Sequence, residues 1–136
     1  MILWDARFAE LQNLPAGERT AESAEFGWWF GSGRFDLEWS LDRLNAALDA
    51  SPRLELHWEV SKKLAAEVPT QPQRAMQLMS KMILVAEEWT IIGCKEGIES
   101  AVRSALSSAD SEAQRIARDL VGRLAARGHT EFVALL

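Results

Sequence analysis

The sequence predicts an all-α fold, a short α-solenoid of antiparallel helix pairs with about seven helices and a short C-terminal one. Ala and Leu, with 20 and 17 residues, far outnumber Val and Ile, with six each, and strands depend on β-branched residues. Alternate helices are expected to begin near residues 2, 36, 72 and 110. These starts are about 34 to 38 residues apart, which is typical of stacked helical hairpins. A compact helical bundle is the alternative.

The breaks between these helices consist of turn-forming residues, and each gap is only a few residues long. Short gaps make consecutive helices antiparallel neighbours in space. We therefore expect one helical repeat domain over residues 1–136. The breaks fall at residues 14–17, 31–33, 51–52, 69–72, 93, 107–110 and 128.

The clearest amphipathic helix is expected over residues 36–50. Its leucines fall within about 60° of arc on a helix of roughly 100° per residue. Asp36 precedes them and is a suitable N-cap. The stripe consists of Leu37, Leu41, Leu44 and Leu48.

Two further helices, over residues 53–68 and 72–88, are apolar around most of their circumference. Trp58 in the first and Val85 in the second belong to these apolar faces. Only narrow polar strips remain, so each helix is expected to have neighbours on most sides. The strips are Glu55, Glu59, Lys62, Lys63 and Ala66 in the first, and Gln77, Ser80, Lys81, Glu87 and Glu88 in the second.

The last long helix is expected over residues 110–127. Asp110 is suited to capping its start, and Gly128 to ending it in the left-handed conformation. Its buried stripe is expected to contain Ala113, Ile116, Ala117, Leu120 and Leu124.

Composition predicts a cytoplasmic protein. No apolar run approaches 18 residues, and the opening residues do not resemble a secretory signal. One cysteine cannot form an internal disulfide, and two histidines are too few for the usual zinc ligand sets. We expect no membrane contact, no metal and no cofactor.

The net charge of −5 lies entirely in the first third of the chain. Residues 1–50 carry four arginines and nine acidic residues, whereas the remainder is balanced. Because nucleic-acid binding depends on basic residues that neutralise phosphates, a nucleic-acid partner is disfavoured. The acidity serves solubility or attracts a basic partner.

Two stretches resemble HEAT-type α-helical repeat domains, EFGWWFGSGRFDLEWSLDRL from Glu25 to Leu44 and ARDLVGRLAARGHTEFVALL from Ala117 to Leu136. The resemblance covers essentially the whole chain. These stretches are also similar to the helical C-terminal regions of large bacterial multidomain proteins of defence type. The resemblance implies a protein-interaction or scaffolding region with no chemistry of its own. The sequence contains no catalytic module, which leaves open whether it is a complete gene product or part of one.

Residues that could carry chemistry all have a structural interpretation. The segment 31–34 lacks the third glycine of a dinucleotide loop and the lysine of a P-loop, so a turn is expected. His57 lies on an apolar helix face, His129 follows a helix end, and Cys94 shares a face with small apolar residues. We therefore predict that the protein is not an enzyme.

The aromatic residues indicate a binding surface. Trp28 and Trp29 diverge by about 100° on one helix, so both can be buried only between two neighbours, and Gly27 would let an indole approach closely. Trp39 lies opposite the leucine stripe, on the side of its helix that carries Arg43. Trp and Arg are enriched at interface hot spots. The candidate partner contacts are Trp39, Arg43, Phe35 and Arg34.

These features favour a non-enzymatic protein-protein interaction or scaffold module. The alternative is a small acidic immunity or inhibitor protein that binds a basic enzyme. A DNA glycosylase that stacks bases on indoles is disfavoured by the charge. The apolar terminal segments are candidates for homo-oligomer contacts. They contain Ile2, Leu3, Trp4, Phe8, Leu11 and Leu14 at one end, and Phe132, Val133, Leu135 and Leu136 at the other.

Overall fold

The computed structural model describes residues 2–11, 13–51 and 54–136 of the chain. All the regular structure in these ranges is helical, which confirms the predicted all-α class. The chain folds into two compact units, Met1–Leu56 and His57–Leu136.

The described ranges contain nine α-helices and a 3₁₀ helix, more than the seven helices and one short piece predicted. The first unit holds α1 (Ile2–Leu11), α2 (Ala16–Ala24), α3 (Phe26–Gly31) and α4 (Leu37–Ala50). The second holds α5 (His57–Glu67), α6 (Pro72–Leu84), α7 (Glu88–Gly93), α8 (Lys95–Ser107), α9 (Ser111–Ala126) and the C-terminal 3₁₀ helix (Thr130–Leu135).

Two predicted helix bounds are wrong. The helix expected from residue 53 begins at His57 because Leu56 has φ +54°, which a right-handed helix does not accommodate. The helix expected to reach residue 88 ends at Leu84, and α7 begins at Glu88. The Arg127 guanidinium donates hydrogen bonds to the carbonyl oxygens of Leu84 and Ala86, at 3.3 and 2.9 Å. It thus satisfies acceptors at the end of α6.

The first unit packs α2 and α3 against α4. Leu41, Leu44 and Leu48 of the predicted stripe are buried. After α4 the chain returns to the junction of α2 and α3, where the Glu55 amide donates to the carbonyl oxygen of Ala24 at 2.8 Å. The close approach expected at Gly27 is therefore made by the backbone of Glu55 and not by an indole.

The second unit packs α5 against α6 and α8 against α9, while α5 also contacts α8 and α6 contacts α9. Two stacked hairpins and a closed four-helix bundle both make these contacts, so the solenoid stays a prediction. All the α-helices of this unit contribute buried side chains to the core, and α6 contributes three methionines. The fully buried side chains there are Met76, Met79, Met82 and Ile83.

The helix ends confirm the predicted caps. Asp36 Oδ1 accepts a hydrogen bond from the Trp39 amide at 3.0 Å, and Asp110 Oδ1 accepts one from Ala113 at 2.9 Å. Gly128 has φ +98° and follows α9 as predicted. These local signals set where α4 and α9 begin and where α9 ends.

Removing the cap of α4 should destabilise the protein. We expect Asp36→Ala to lower the free energy of unfolding by about 1 kcal/mol, because the Trp39 amide loses its acceptor. Asp36→Asn keeps an acceptor oxygen and should leave stability within about 0.5 kcal/mol of the wild type. Urea denaturation followed by circular dichroism measures both. Equal losses in the two variants would contradict the cap.

Candidate interaction surface

Aromatic rings form a continuous row in the first unit. The ring centroids are 5.9 Å apart for Trp29 and Phe35, 5.0 Å for Phe35 and Trp39, and 6.2 Å for Trp39 and Phe26. These separations lie in the range of favourable aromatic pairs. We call Trp29, Phe35, Trp39 and Phe26 the aromatic row. Two of the four predicted contact residues, Phe35 and Trp39, are members of it.

A tight turn between α3 and α4 brings the rings of this row together. The Ser32 hydroxyl donates to the carbonyl oxygen of Trp29 at 2.7 Å and accepts from the Arg34 amide at 3.3 Å. Asp36 then starts α4. The turn brings Phe35 beside Trp29, and the first turn of α4 brings Trp39 beside Phe35. The turn predicted over residues 31–34 is present, with Gly31 as the last residue of α3 and the turn at residues 32–33.

The polar edge of Trp39 is held within the first unit. Its indole Nε1 donates to Asp5 Oδ1 at 3.1 Å, and Arg43 Nη1 lies 3.6 Å from the same oxygen. Trp39 and Arg43 are both half-buried. Together they join α4 to α1 through the Asp5 carboxylate. Trp39 therefore presents only part of its ring to solvent. Arg34, in the turn, is exposed.

Trp28 and Trp29 are the exposed part of this surface, with 58% and 42% of their area accessible. Phe26 and Phe30 occupy the buried face of α3. Burial of both indoles would have required neighbours on two sides of this helix, and both are exposed instead. Since Trp29 contacts Phe35, the exposed indoles are continuous with the aromatic row. We call Trp28, Trp29, Phe35 and Trp39 the aromatic surface.

The first unit also carries the net charge. Residues 1–56 contain ten acidic and five basic residues, while residues 57–136 contain ten of each, so the net charge of −5 belongs to the first unit. Around the aromatic surface, residues 25–42 contain four carboxylates and one arginine, Arg34. All four carboxylates, those of Glu25, Asp36, Glu38 and Asp42, are exposed.

The second unit contains an ionic cluster that the sequence did not reveal. The Glu88 carboxylate accepts from Arg127 Nη2 at 3.0 Å and pairs with the His129 ring at 2.5 Å. Glu131 lies 3.7 Å from the other ring nitrogen of His129. The Arg127 hydrogen bond, followed by that of His129, holds the pKa of Glu88 below its ordinary value. The cluster ties the start of α7 to the chain after α9.

This cluster predicts acid sensitivity. Because the pKa of Glu88 is lowered in the folded protein, its ionised form stabilises the fold above the ordinary glutamate range, about pH 4.3. That contribution disappears as the pH falls through the lowered pKa. We expect Glu88→Gln to reduce the melting temperature at about pH 7 and to have little effect at about pH 3. An equal reduction at both values would contradict this role.

The predictions for the cysteine and the two histidines were only partly correct. Cys94 is buried as predicted, and burial raises the pKa of its thiol. His129 serves the end of α9 as predicted, because its amide donates to the carbonyl oxygen of Leu124 at 2.9 Å. His57, expected on an apolar face, is half-buried at the first position of α5.

Exposed apolar side chains also occur in the second unit. Trp58 and Val85 were assigned to buried faces, yet both are exposed. Trp89 is 82% accessible, and Ile92 follows it at helical spacing. At the C-terminal end Phe132 is buried, which removes it from the predicted self-association surface, whereas Val133 is exposed. At the opening end, the side chains of Ile2, Leu3, Trp4, Phe8 and Leu11 lie outside the described residues.

Comparisons with family models, with curated proteins and with solved structures found nothing that matches this chain. Within the described ranges, none of the helices has the length and apolar character needed to span a bilayer. The same ranges bring together no three His, Cys, Asp or Glu side chains in an arrangement that could bind a metal ion.

Proposed function

We propose that this protein is a non-enzymatic protein-interaction module and that its aromatic surface binds the partner. The observation that carries the proposal is the exposure of Trp28 and Trp29 beside the half-buried rings of Phe35 and Trp39. Contiguous exposed apolar patches are typical of interaction sites, and tryptophan is enriched at their hot spots. A HEAT-like scaffold is part of the same proposal, and the contacts within the helix pairs α5–α6 and α8–α9 are compatible with it.

The four residues predicted from the sequence have unequal roles in this proposal. Phe35 and Trp39 supply ring faces, and Arg34 lies at the exposed rim. Arg43 is paired with Asp5, so its function is to position Trp39 and α1. The two residues that we add, Trp28 and Trp29, supply most of the exposed apolar area at this site.

The test is a comparison of three immobilised proteins. The wild type, a Trp28→Ala/Trp29→Ala variant and a Trp89→Ala control are exposed to lysate, and bound proteins are quantified by mass spectrometry. The double variant should retain at least about tenfold less of one reproducibly bound protein than the wild type does. Truncating a hot-spot residue weakens binding by that much or more. The control should retain it. Equal binding to all three proteins, or no bound protein, would refute the assignment.

A second candidate is an acidic immunity-type protein that inhibits a basic enzyme. The confinement of the net charge to the first unit favours it. It requires that the captured partner be an enzyme whose activity falls when the wild-type protein binds. An assay of that partner with the wild type and with the Trp28→Ala/Trp29→Ala variant distinguishes an inhibitor from a scaffold.

A further inference from the structure

We infer that the aromatic surface recognises an Arg- or Lys-bearing segment of its partner, held between exposed indoles and flanking carboxylates. The inference rests on the proposed function and specifies the chemistry of the partner. It commits to a basic peptide segment as the occupant.

The geometry of α3 provides the first part of the argument. Glu25, Trp28 and Trp29 recur at i, i+3 and i+4 and all three are exposed. At roughly 100° per residue, Trp28 and Trp29 lie on either side of the position of Glu25, each within about 60° of it, so both indoles neighbour the same carboxylate position. A guanidinium or ammonium group above an indole is attracted by its ring quadrupole, and tryptophan is the strongest partner for this contact. A carboxylate on the same face adds Coulomb attraction for the same cation.

The turn into α4 provides the second part. Trp29 contacts Phe35, and Asp36 follows Phe35 directly, so a second exposed carboxylate is adjacent in the sequence to a ring that contacts Trp29. Only one oxygen of Asp36 is needed to cap α4. Exposed carboxylates thus stand directly before both helices that carry the rings, Glu25 before α3 and Asp36 before α4, a charge distribution complementary to a positively charged segment.

Charge distribution provides the third part. Residues 25–42 carry a net charge of −3, from four carboxylates and one arginine. That arginine, Arg34, is exposed at the rim and opposes a basic ligand. Its replacement by glutamine is therefore expected to strengthen binding, whereas a contact to an acidic partner would be weakened by the same change.

The test uses two synthetic peptides that alternate arginine with alanine, or citrulline with alanine. They are titrated into the ¹⁵N-labelled 136-residue protein while the indole N–H cross-peaks are followed. Each cross-peak is assigned beforehand with single Trp→Phe variants. We expect the arginine peptide to shift the Trp28 and Trp29 cross-peaks and to leave those of Trp58 and Trp89 in place. The citrulline peptide, which lacks the charge, should bind at least about tenfold more weakly.

Two neutralised variants separate a site from general charge attraction. Glu25→Gln/Asp36→Asn removes two charges beside the rings and keeps the cap of α4. Glu59→Gln/Glu96→Gln removes the same charge from exposed positions of the second unit. The first pair should weaken binding of the arginine peptide at least about fivefold and the second less than about twofold. Arg34→Gln should strengthen it.

The results that would overturn this inference differ from those that would refute the proposed function. Equal loss in both neutralised pairs, equal shifts at Trp89, or equal binding of the citrulline peptide would overturn the inference. Absence of arginine-peptide binding at millimolar concentration would overturn it as well. If the lysate experiment nevertheless shows a partner that depends on Trp28 and Trp29, the aromatic surface is still an interaction site, but for a partner without basic character.

Discussion

Replacing Gly27 with alanine is expected to lower the free energy of unfolding by about 3 kcal/mol. A Cβ atom at this position would lie 1.8 Å from the carbonyl oxygen of Glu55 and 2.9 Å from its carbonyl carbon. Both are backbone atoms, so no side-chain rotation can relieve the overlap. The chain that returns after α4 must move away from α3, and the hydrogen bond from the Glu55 amide to Ala24 is then lost.

Gly17 provides the matched control in the same unit. It lies in α2, and an added Cβ atom there would have no other atom within 4 Å, so Gly17→Ala should be neutral or slightly stabilising. Urea denaturation gives both free energies. Glu55→Ala should not rescue Gly27→Ala, because the obstructing atoms belong to the backbone. Stability of Gly27→Ala equal to that of the wild type would show that the two segments do not touch.

The second large effect is expected at Gly97, where α8 crosses α5. A Cβ atom there would lie 2.4 Å from Ser61 Oγ, 2.8 Å from its Cβ and 2.9 Å from its carbonyl carbon. We expect Gly97→Ala to cost about 2 kcal/mol, which exceeds the gain of about 1 kcal/mol that alanine brings to a helix interior.

Here a compensating change is available, because two of the three obstructing atoms belong to a side chain. Gly97→Ala/Ser61→Gly should recover part of the lost stability, and a double-mutant cycle should give a favourable coupling. Gly122, exposed in the interior of α9 with open space around it, is the control, and Gly122→Ala should stabilise the protein by about 0.5–1 kcal/mol. Destabilisation of equal size at Gly97 and Gly122 would contradict a close helix crossing.

The features that could be predicted from the sequence are those determined by a few neighbouring residues. Asp36 and Asp110 cap their helices because a short side chain reaches an amide three residues ahead, and this geometry needs no distant partner. The leucine stripe of α4 was predictable for a similar reason, since helical periodicity alone puts its members on one face. The turn at residues 31–34 followed from its glycines.

The features that could not be predicted depend on distant residues or on an unfavoured backbone conformation. The end of α6 at Leu84 depends on hydrogen bonds from Arg127, which is 43 positions away in the sequence. The late start of α5 depends on the left-handed backbone conformation of Leu56, which leucine does not favour. In both cases local composition favours a continuous helix, and tertiary contacts or backbone geometry end it.

The candidate site also has some features that the sequence predicts and others that it does not. Sequence periodicity placed Trp39 and Arg43 on one side of α4, but it could not show that Asp5 contacts both. Sequence periodicity also assigned Trp58 to a buried helix face, yet Trp58 is exposed. Hydrophobicity shows that a helix face is apolar, but it does not show whether another element covers that face. The exposure of Trp28 and Trp29 is visible only once α3 is known to bury Phe26 and Phe30 instead.

The burial of Cys94 makes the protein convenient for site-specific labelling. It is the single cysteine of the sequence, it is shielded from solvent, and the pKa of its thiol lies above the ordinary range. Maleimide reagents require an accessible thiolate. A cysteine introduced at an open surface position such as Gly122 would therefore accept a fluorophore or spin label selectively, with the native thiol left in place.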